Sequence, residues 1–326
     1  MSKFVIEGGV PLSGRHFSPG NKNAALPMIA AALLADSPVE ISNIPLILDV
    51  EVMLELVASI GATVTLDRPT RTVTIDPRKI TTTTLSSDLC KRIRTSILLA
   101  GPLVAKLGQV IVPPPGGDVI GRRRLDTHFE GFRKLGVTVD SETMPYDFRA
   151  PTRLRGTRLL LDEASVTATE NLLMASVLAE GRTSIFNVAC EPHVQNLCNM
   201  LVAMGASIQG IGTNRLVVDG VETLHGAKVR VGPDYIESAS FIAAAAATHG
   251  SIMIDDTLEE DFEILERPFS RLGVTWKRDP SGLLTFDSSQ IELRMTNDMS
   301  GAISKIEDGI WPSTPTDLLS VLIVLA

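Results

Sequence analysis

The sequence predicts an α/β fold assembled from repeated units, each with its own helices and strands. Three observations carry that prediction. A helix-to-strand turn of the form Leu/Ile/Met-Gly-Ala/Val recurs at Gly61, Gly136, Gly205 and Gly273, which lie 75, 69 and 68 residues apart. Ahead of each turn stands a short β-rich stretch, at 39–41, 109–112, 183–186 and 251–254. Between stretch and turn lies a helix pattern. The period is long for a stacked solenoid repeat, and each segment is large enough to be a βαβ-type unit, so a globular domain of repeated α/β units is expected.

Composition narrows the class. A chain of 326 residues suggests about two domains. Its 44% apolar content suffices for a sizeable core, and with only 4% aromatics that core should be rich in Ala, Val, Leu and Ile. The net charge of −8 argues against non-specific nucleic-acid binding, although local basic clusters remain able to hold an anion. Three cysteines, Cys90, Cys190 and Cys198, form no C-x-x-C pair and fit a reducing cytoplasm. The first residues contain no long apolar run of the kind that directs secretion. Residues 317–326 read as the opening turns of a buried helix without a C-cap, which predicts a further C-terminal portion. That run falls well short of the roughly 20 apolar residues a membrane span needs, so no membrane insertion is expected.

In the first unit, residues 20–34 begin small and polar and become a helix. Lys22 and Asn23 stand at its start, where free backbone N–H groups attract anions; a solvated lysine beside an asparagine N-cap explains the same residues. The next helix has Asp49 as its N-cap candidate, an apolar face of Val50, Met53, Leu54, Val57 and Ile60, and a stop at Gly61. In the second unit, Lys91, Arg92 and Arg94 crowd four positions, and Arg92 and Arg94 fall on different faces of any helix. Pro113-Pro-Pro-Gly-Gly-Asp118 then leads to Arg122, Arg123 and Arg124. Gly116 and Gly117 permit a mobile or tightly turned backbone. A carboxylate between glycines and three arginines suits closure over a phosphorylated substrate, though most charged Gly-rich loops are plain surface loops. No Gly-Lys-Ser/Thr follows, so this is not a P-loop. In the third unit, Ser165 and Thr167 offer hydroxyls just before a helix, as phosphate ligands or as N-caps. Glu191, Asp234 and Asp317 each precede a helix and read first as caps. No His/Cys/carboxylate spacing suggests a metal, and no dinucleotide fingerprint or nucleophile elbow appears, so no metal or organic cofactor is required.

Taken together, several of these motifs resemble one family. They are Lys22-Asn23-Ala-Ala-Leu-Pro27, Arg94, Gly101-Pro102, Pro115-Gly-Gly-Asp118, Ile120-Gly121, Asp126 with His128, Ala179-Glu-Gly181, Glu191-Pro192, Pro233-Asp234 with Ile236-Glu237, and Pro315-Thr-Asp317. In register over the whole chain, they are similar to the UDP-N-acetylglucosamine 1-carboxyvinyltransferases. The sister 5-enolpyruvylshikimate-3-phosphate synthases would show Lys-Ser and then Ser-Asn-Arg where this chain has Lys22-Asn23-Ala-Ala.

The resemblance implies an inverse α/β barrel of βαβαββ units, helices inside and sheets outside. It implies a first domain at 22–231, and a second, incomplete one formed by 1–21 plus 232–326. It implies a cytoplasmic transferase that moves the enolpyruvyl group of phosphoenolpyruvate to UDP-N-acetylglucosamine in peptidoglycan synthesis. By resemblance, Lys22, Arg94 and Arg123 bind phosphoenolpyruvate and Asn23 contacts the sugar or the intermediate. Asp118 is the general acid on a mobile loop, Asp317 accepts the proton of the 3-hydroxyl, and Ser165, Val166 and Thr167 form the uridine diphosphate turn. The pattern departs from the family at Asp118, where most members carry the cysteine that fosfomycin alkylates. It departs again at Leu48 and Glu163, where lysines are usual, at Leu98 for a tryptophan, and at Arg122-Arg123-Arg124 for a single Arg followed by Pro. A second enolpyruvyl transferase chemistry, or a non-catalytic sugar-nucleotide-binding homologue, stands as the alternative.

Overall fold

The computed structural model describes residues 3–117 and 124–326. Its contacts divide the chain into two units, Gly20–Gly232 on one side and Met1–Pro19 with Pro233–Ala326 on the other.

In chain order, β1 (Ser13–Phe17) belongs to the second of these units. The larger unit then begins with α1 (Lys22–Ala31), β2 (Val39–Ser42), α2 (Leu48–Ser59), β3 (Thr63–Asp67) and β4 (Thr72–Asp76). Next come α3 (Ser87–Cys90), a 3-10 helix at Arg94–Leu99, α4 (Ala100–Leu107), β5 (Gln109–Val112), α5 (Asp126–Lys134), β6 (Thr138–Asp140) and β7 (Tyr146–Arg149). The third stretch is β8 (Arg158–Leu160), α6 (Val166–Ser176), β9 (Arg182–Phe186), α7 (Pro192–Ala203), β10 (Ser207–Gln209) and β11 (Arg215–Asp219), with β12 (Lys228–Arg230) after it. The smaller unit continues through α8 (Tyr235–Ala247), β13 (Ser251–Asp255), α9 (Glu259–Ser270), β14 (Lys277–Arg278) and β15 (Leu284–Asp287), and later a 3-10 turn at Thr316–Leu318 running into α10 (Leu319–Leu325).

The four glycine turns predicted from sequence all join a helix to a strand. Gly61, Gly136, Gly205 and Gly273 have φ of 106°, 93°, 105° and 78°, which a residue with a Cβ rarely adopts. Each repeat builds the same antiparallel trio: β2-β4-β3, β5-β7-β6, β9-β11-β10 and β13-β15-β14. Against the first strand of each trio lies a parallel partner. For the third repeat it is β8, immediately upstream. For the first repeat it is β12, from the far end of the same unit, with Ile41 opposite Val229. For the fourth it is β1, with Ile252 opposite Gly14. In the second it shrinks to one bridge, Thr84 to Ile111. Among the described residues a βαβαββ unit is thus complete in three repeats and lacks only a full opening strand in the second; in the first and fourth a segment distant in sequence supplies the opening strand.

Helix burial follows the sequence pattern. Residues 24–31 of α1 and 168–176 of α6 are buried on every side. That is expected for α1, which is apolar all round there, whereas α6 buries Thr169, Glu170, Asn171 and Ser176 along with its apolar residues. Burying a side chain such as Leu26 or Ile29 contributes about 1.5–3 kcal/mol. By contrast, α5 is amphipathic, covering Phe129 and Phe132 while exposing Glu130 and Lys134. The strands alternate, as in β3 and β11, with one face covered and one outward. Helices therefore fill the larger unit and its sheets face outward. The core is aliphatic, as composition predicted, with Phe132 and Phe148 among its few aromatics.

Three local expectations are corrected. Asp49 does not cap α2; Ile47 holds that position without a side-chain cap, and Asp49 lies in the first turn. The cap of α1 is Asn21, whose Oδ1 accepts the Asn23 N–H at 2.7 Å, not Asn23 itself. Residues 319–325 do form a helix, but among its apolar residues Leu322 is buried while Ile323 and Val324 are exposed.

Candidate active site

In the larger unit, the site residues predicted from sequence share one structural position. Lys22 and Asn23 are the first two residues of α1. Arg94 opens the 3-10 helix that runs into α4. Ser165 is the N-cap of α6, and Val166 and Thr167 are its first residues. These are the equivalent inner helices of three successive repeats, and they touch one another in pairs. Repetition of one unit thus sets cations and hydroxyls on helix N-termini, whose positive dipole ends favour anions. In the smaller unit, Asp234 is the N-cap of α8, accepting from the N–H groups of Ile236 and Glu237. Asp317 lies exposed in the 3-10 turn ahead of α10; Pro315 takes the cap position, so Asp317 is not the cap expected.

Lys22 Nζ lies 3.4 Å from Asp49 Oδ2, both side chains being half exposed. An exposed pair of this kind is worth under about 1 kcal/mol, so an incoming phosphate competes for Lys22 at little cost. Arg92 turns away, onto Glu55 at 3.2 Å. The Pro113–Gly117 stem lies directly on the turn before Arg94: Gly116 N–H donates to Cys90 O and Gly117 N–H to Lys91 O. A Cβ on Gly116 would fall 1.8 Å from Lys91 O, and one on Gly117, whose φ is +83°, would fall 3.0 Å from Arg94 N. The two glycines are there for close approach. Asp118 and Arg123, expected as general acid and phosphate ligand, lie outside the described residues. Downstream, Arg124 contacts Asp126 at 3.3 Å and Asp162 at 3.5 Å.

Ser165 Oγ accepts the Ala168 N–H at 3.4 Å. Behind this turn runs a polar chain through the core. Asn171 Oδ1 accepts the Gly101 N–H at 2.6 Å, its Nδ2 donates to Ile97 O at 2.8 Å, and Nδ2 also meets His128 Nδ1 at 3.1 Å. His128 Nε2 meets Thr167 Oγ1 at 3.2 Å. A Cβ on Gly101 would fall 2.4 Å from Asn171 O, so only glycine admits the asparagine there. The sequence reading missed Asn171. The signal was present, since Glu170 and Asn171 are adjacent, strongly polar residues in a helix whose other residues are apolar or small hydroxyl ones. Glu191 also differs from expectation: it occupies the N-cap position of α7 but makes no side-chain cap bond, and its Oε2 is buried without a hydrogen-bond partner. Burial holds its carboxyl above the usual range, and burial together with Glu191 holds that of Glu170 well above it.

Burial, reinforced by the Arg94 charge, pulls His128 from 6.5 down to about 3. The unfolded chain therefore takes up a proton below about 6.5 that the folded chain refuses. The stability this contributes is complete above that value and is lost as pH falls toward about 3. Buried His193, lowered to about 4, acts in the same sense and Glu170 in the opposite one, so the difference between two proteins isolates His128. His128→Gln is expected to flatten the fall in unfolding free energy by about 1.4 kcal/mol per pH unit between about pH 4 and 6, measured by urea titration at each pH. Identical slopes would contradict the neutral buried ring.

The three thiols are not reactive. All three are buried and outside any disulfide; burial raises each, pushing Cys90 up to about 11 and Cys198 up to about 12. Among the described residues no cluster of His, Cys, Asp and Glu is arranged to hold a metal, and no helix is long and apolar enough to cross a membrane.

With this geometry in place, the likenesses to known proteins are informative. The structure resembles the enolpyruvyl transferase NikO from Streptomyces tendae, with a TM-score of 0.76 at 24% identity over 92% of this chain and 72% of that one. It also resembles EPSP synthase from Acinetobacter baumannii, with a TM-score of 0.67 at 19% identity over 86% and 66%. These define the fold as that of the enolpyruvyl transferases. The family model described as EPSP synthase (3-phosphoshikimate 1-carboxyvinyltransferase) matches residues 6–324. UDP-N-acetylglucosamine 1-carboxyvinyltransferase from Treponema denticola is 46% identical over 327 residues, covering all of this chain and 75% of that protein. The protein of the same name from Borreliella burgdorferi is 45% identical over 326 residues, with the same coverage. The chain belongs to the enolpyruvyl transferase family, in the branch of the UDP-N-acetylglucosamine 1-carboxyvinyltransferases.

Proposed function

We propose that the chain transfers the enolpyruvyl group of phosphoenolpyruvate to the 3-hydroxyl of UDP-N-acetylglucosamine, releasing phosphate, as the committing step of peptidoglycan synthesis in the cytoplasm. The observation that carries this reading is identity of 43–46% along essentially the whole chain to proteins of that name. We take the two units as the two domains of the transferase.

In the first step the 3-hydroxyl oxygen bonds to the central carbon of phosphoenolpyruvate while the methylene carbon gains a proton. In the second, the carbon–oxygen bond to phosphate breaks and the new methyl group gives up a proton, restoring the double bond. The protein must hold two anions together, supply an acid and accept a hydroxyl proton. Lys22 and Arg94 neutralise phosphoenolpyruvate, joined by Arg123. Asn23 contacts the sugar or the intermediate, and Ser165, Val166 and Thr167 hold the diphosphate. Asp118 supplies the proton and Asp317 accepts that of the hydroxyl. The position of Lys22, Arg94 and Val166 at three equivalent helix starts supports these anion-binding roles.

The test is phosphate release from phosphoenolpyruvate with UDP-N-acetylglucosamine, run beside shikimate-3-phosphate. Release with the sugar nucleotide alone is expected. Release with shikimate-3-phosphate alone would move the chain to the sister chemistry, and release with neither would favour a binding protein.

A further inference from the structure

The chain of hydrogen bonds from Gly101 to Thr167 has a direction, and that direction ends at the candidate nucleotide turn. Two backbone groups fix the Asn171 amide. The Gly101 N–H donates and therefore faces the carbonyl oxygen; the Ile97 carbonyl accepts and therefore faces the NH2. The second amide hydrogen then points at His128 Nδ1, 3.1 Å away. A hydrogen on Nδ1 would set two donors against each other, so Nδ1 is the acceptor and the neutral ring carries its hydrogen on Nε2. Nε2–H in turn donates to Thr167 Oγ1, 3.2 Å away. With one of its lone pairs taken, the Thr167 hydroxyl is left to donate. His128 and Asn171 are buried, whereas Thr167, at the first turn of α6, is partly exposed.

We propose that His128 is a positioning residue: by donating from Nε2 to Thr167 Oγ1 it turns the Thr167 hydroxyl hydrogen outward, as a donor to a diphosphate oxygen of the bound sugar nucleotide. This rests on the nucleotide role proposed for Ser165, Val166 and Thr167. The backbone N–H groups of a helix start already favour that anion, and the hydroxyl adds a donor whose direction the protein core sets. A role confined to core packing would require the buried asparagine and histidine but no hydroxyl at position 167.

Two measurements separate the parts of the inference. The first is the nitrogen-15 spectrum of histidine-labelled protein without ligand, with the His128 signal identified by its loss in His128→Gln. A protonated Nε2 and an unprotonated Nδ1 near neutral pH are expected; the opposite tautomer overturns the proposal. The second is KM for UDP-N-acetylglucosamine. Thr167→Val is expected to raise it about tenfold, the loss of one hydrogen bond to a charged acceptor, with a smaller change in kcat; Thr167→Ser restores it. His128→Gln is expected to raise KM in the wild-type background and to add little in the Thr167→Val background, because both changes remove the same contact. Equal KM for wild type and Thr167→Val, or additive effects in the double variant, overturns the proposal while leaving the functional reading intact. A wild-type chain that binds no sugar nucleotide, measured by calorimetry, defeats the functional reading and the ligand half of this inference together, even with the tautomer as assigned.

Discussion

Asp118→Asn is expected to lower the turnover of enolpyruvyl transfer by about 100- to 10,000-fold, the contribution of a positioned general acid. The substitution keeps size and polarity and removes the proton. Binding of UDP-N-acetylglucosamine should change far less, so kcat carries the loss; a kcat within a few-fold of wild type would remove Asp118 from the proposed mechanism. The neighbouring change is equally informative. An ordinary aspartate is almost wholly ionised at neutral pH, and keeping it protonated there costs about 4 kcal/mol. Nearby arginines oppose protonation and the phosphates of incoming substrates favour it. Asp118→Cys is therefore expected to move the rate optimum toward alkaline pH; an unchanged profile would sink that argument. The wild-type chain should form no covalent adduct with fosfomycin, because its three thiols are buried and held protonated. Asp118→Cys should gain a single adduct, read by intact mass and peptide mapping, and an adduct on the wild-type chain would contradict the account.

Asn171→Leu is expected to destabilise the larger unit by about 3 kcal/mol or more. Leucine matches the volume, so packing is nearly kept. Three partners lose their bond: the Gly101 N–H, the Ile97 carbonyl and His128 Nδ1. All lie in the core, where water does not replace the missing partner, and each orphaned group costs about 1–3 kcal/mol. The added apolar contact of leucine offsets only part of that. The loss is largest at the join between the Arg94–Leu99 turn and α4, where Asn171 caps the Gly101 N–H from outside the helix. Denaturant unfolding measures it, and a loss below about 1 kcal/mol would mean that the chain of hydrogen bonds is not maintained in solution.

Much of this architecture can be read from the residues. The glycine turns were visible because only glycine tolerates the positive φ that each requires, and the trios of strands follow from period-2 alternation beside them. The starts of the inner helices were visible as polar residues opening apolar runs. Single cap positions were legible only in part: Ser165 and Asp234 cap α6 and α8 as read, but other expected caps do not. Asn21, not Asn23, caps α1, and Asp49 lies two residues past the cap of α2, because neighbouring polar residues satisfy the same pattern and the path of the incoming chain decides between them. Asn171 was missed for a related reason. A polar residue in a buried helix announces that it has partners, but Ile97, Gly101 and His128 are distant in sequence.

The sequence by itself determined the repeat, the aliphatic core and the residue types set at each helix start, since these depend on local periodicity and backbone sterics. Tertiary structure alone decided that β12 closes the first repeat and β1 the fourth, and that one asparagine joins two helix starts through a histidine. Strand pairing and buried hydrogen bonds are satisfied in space between segments that do not announce each other along the chain. Their choice of partner is settled only when burial removes the water that would otherwise serve.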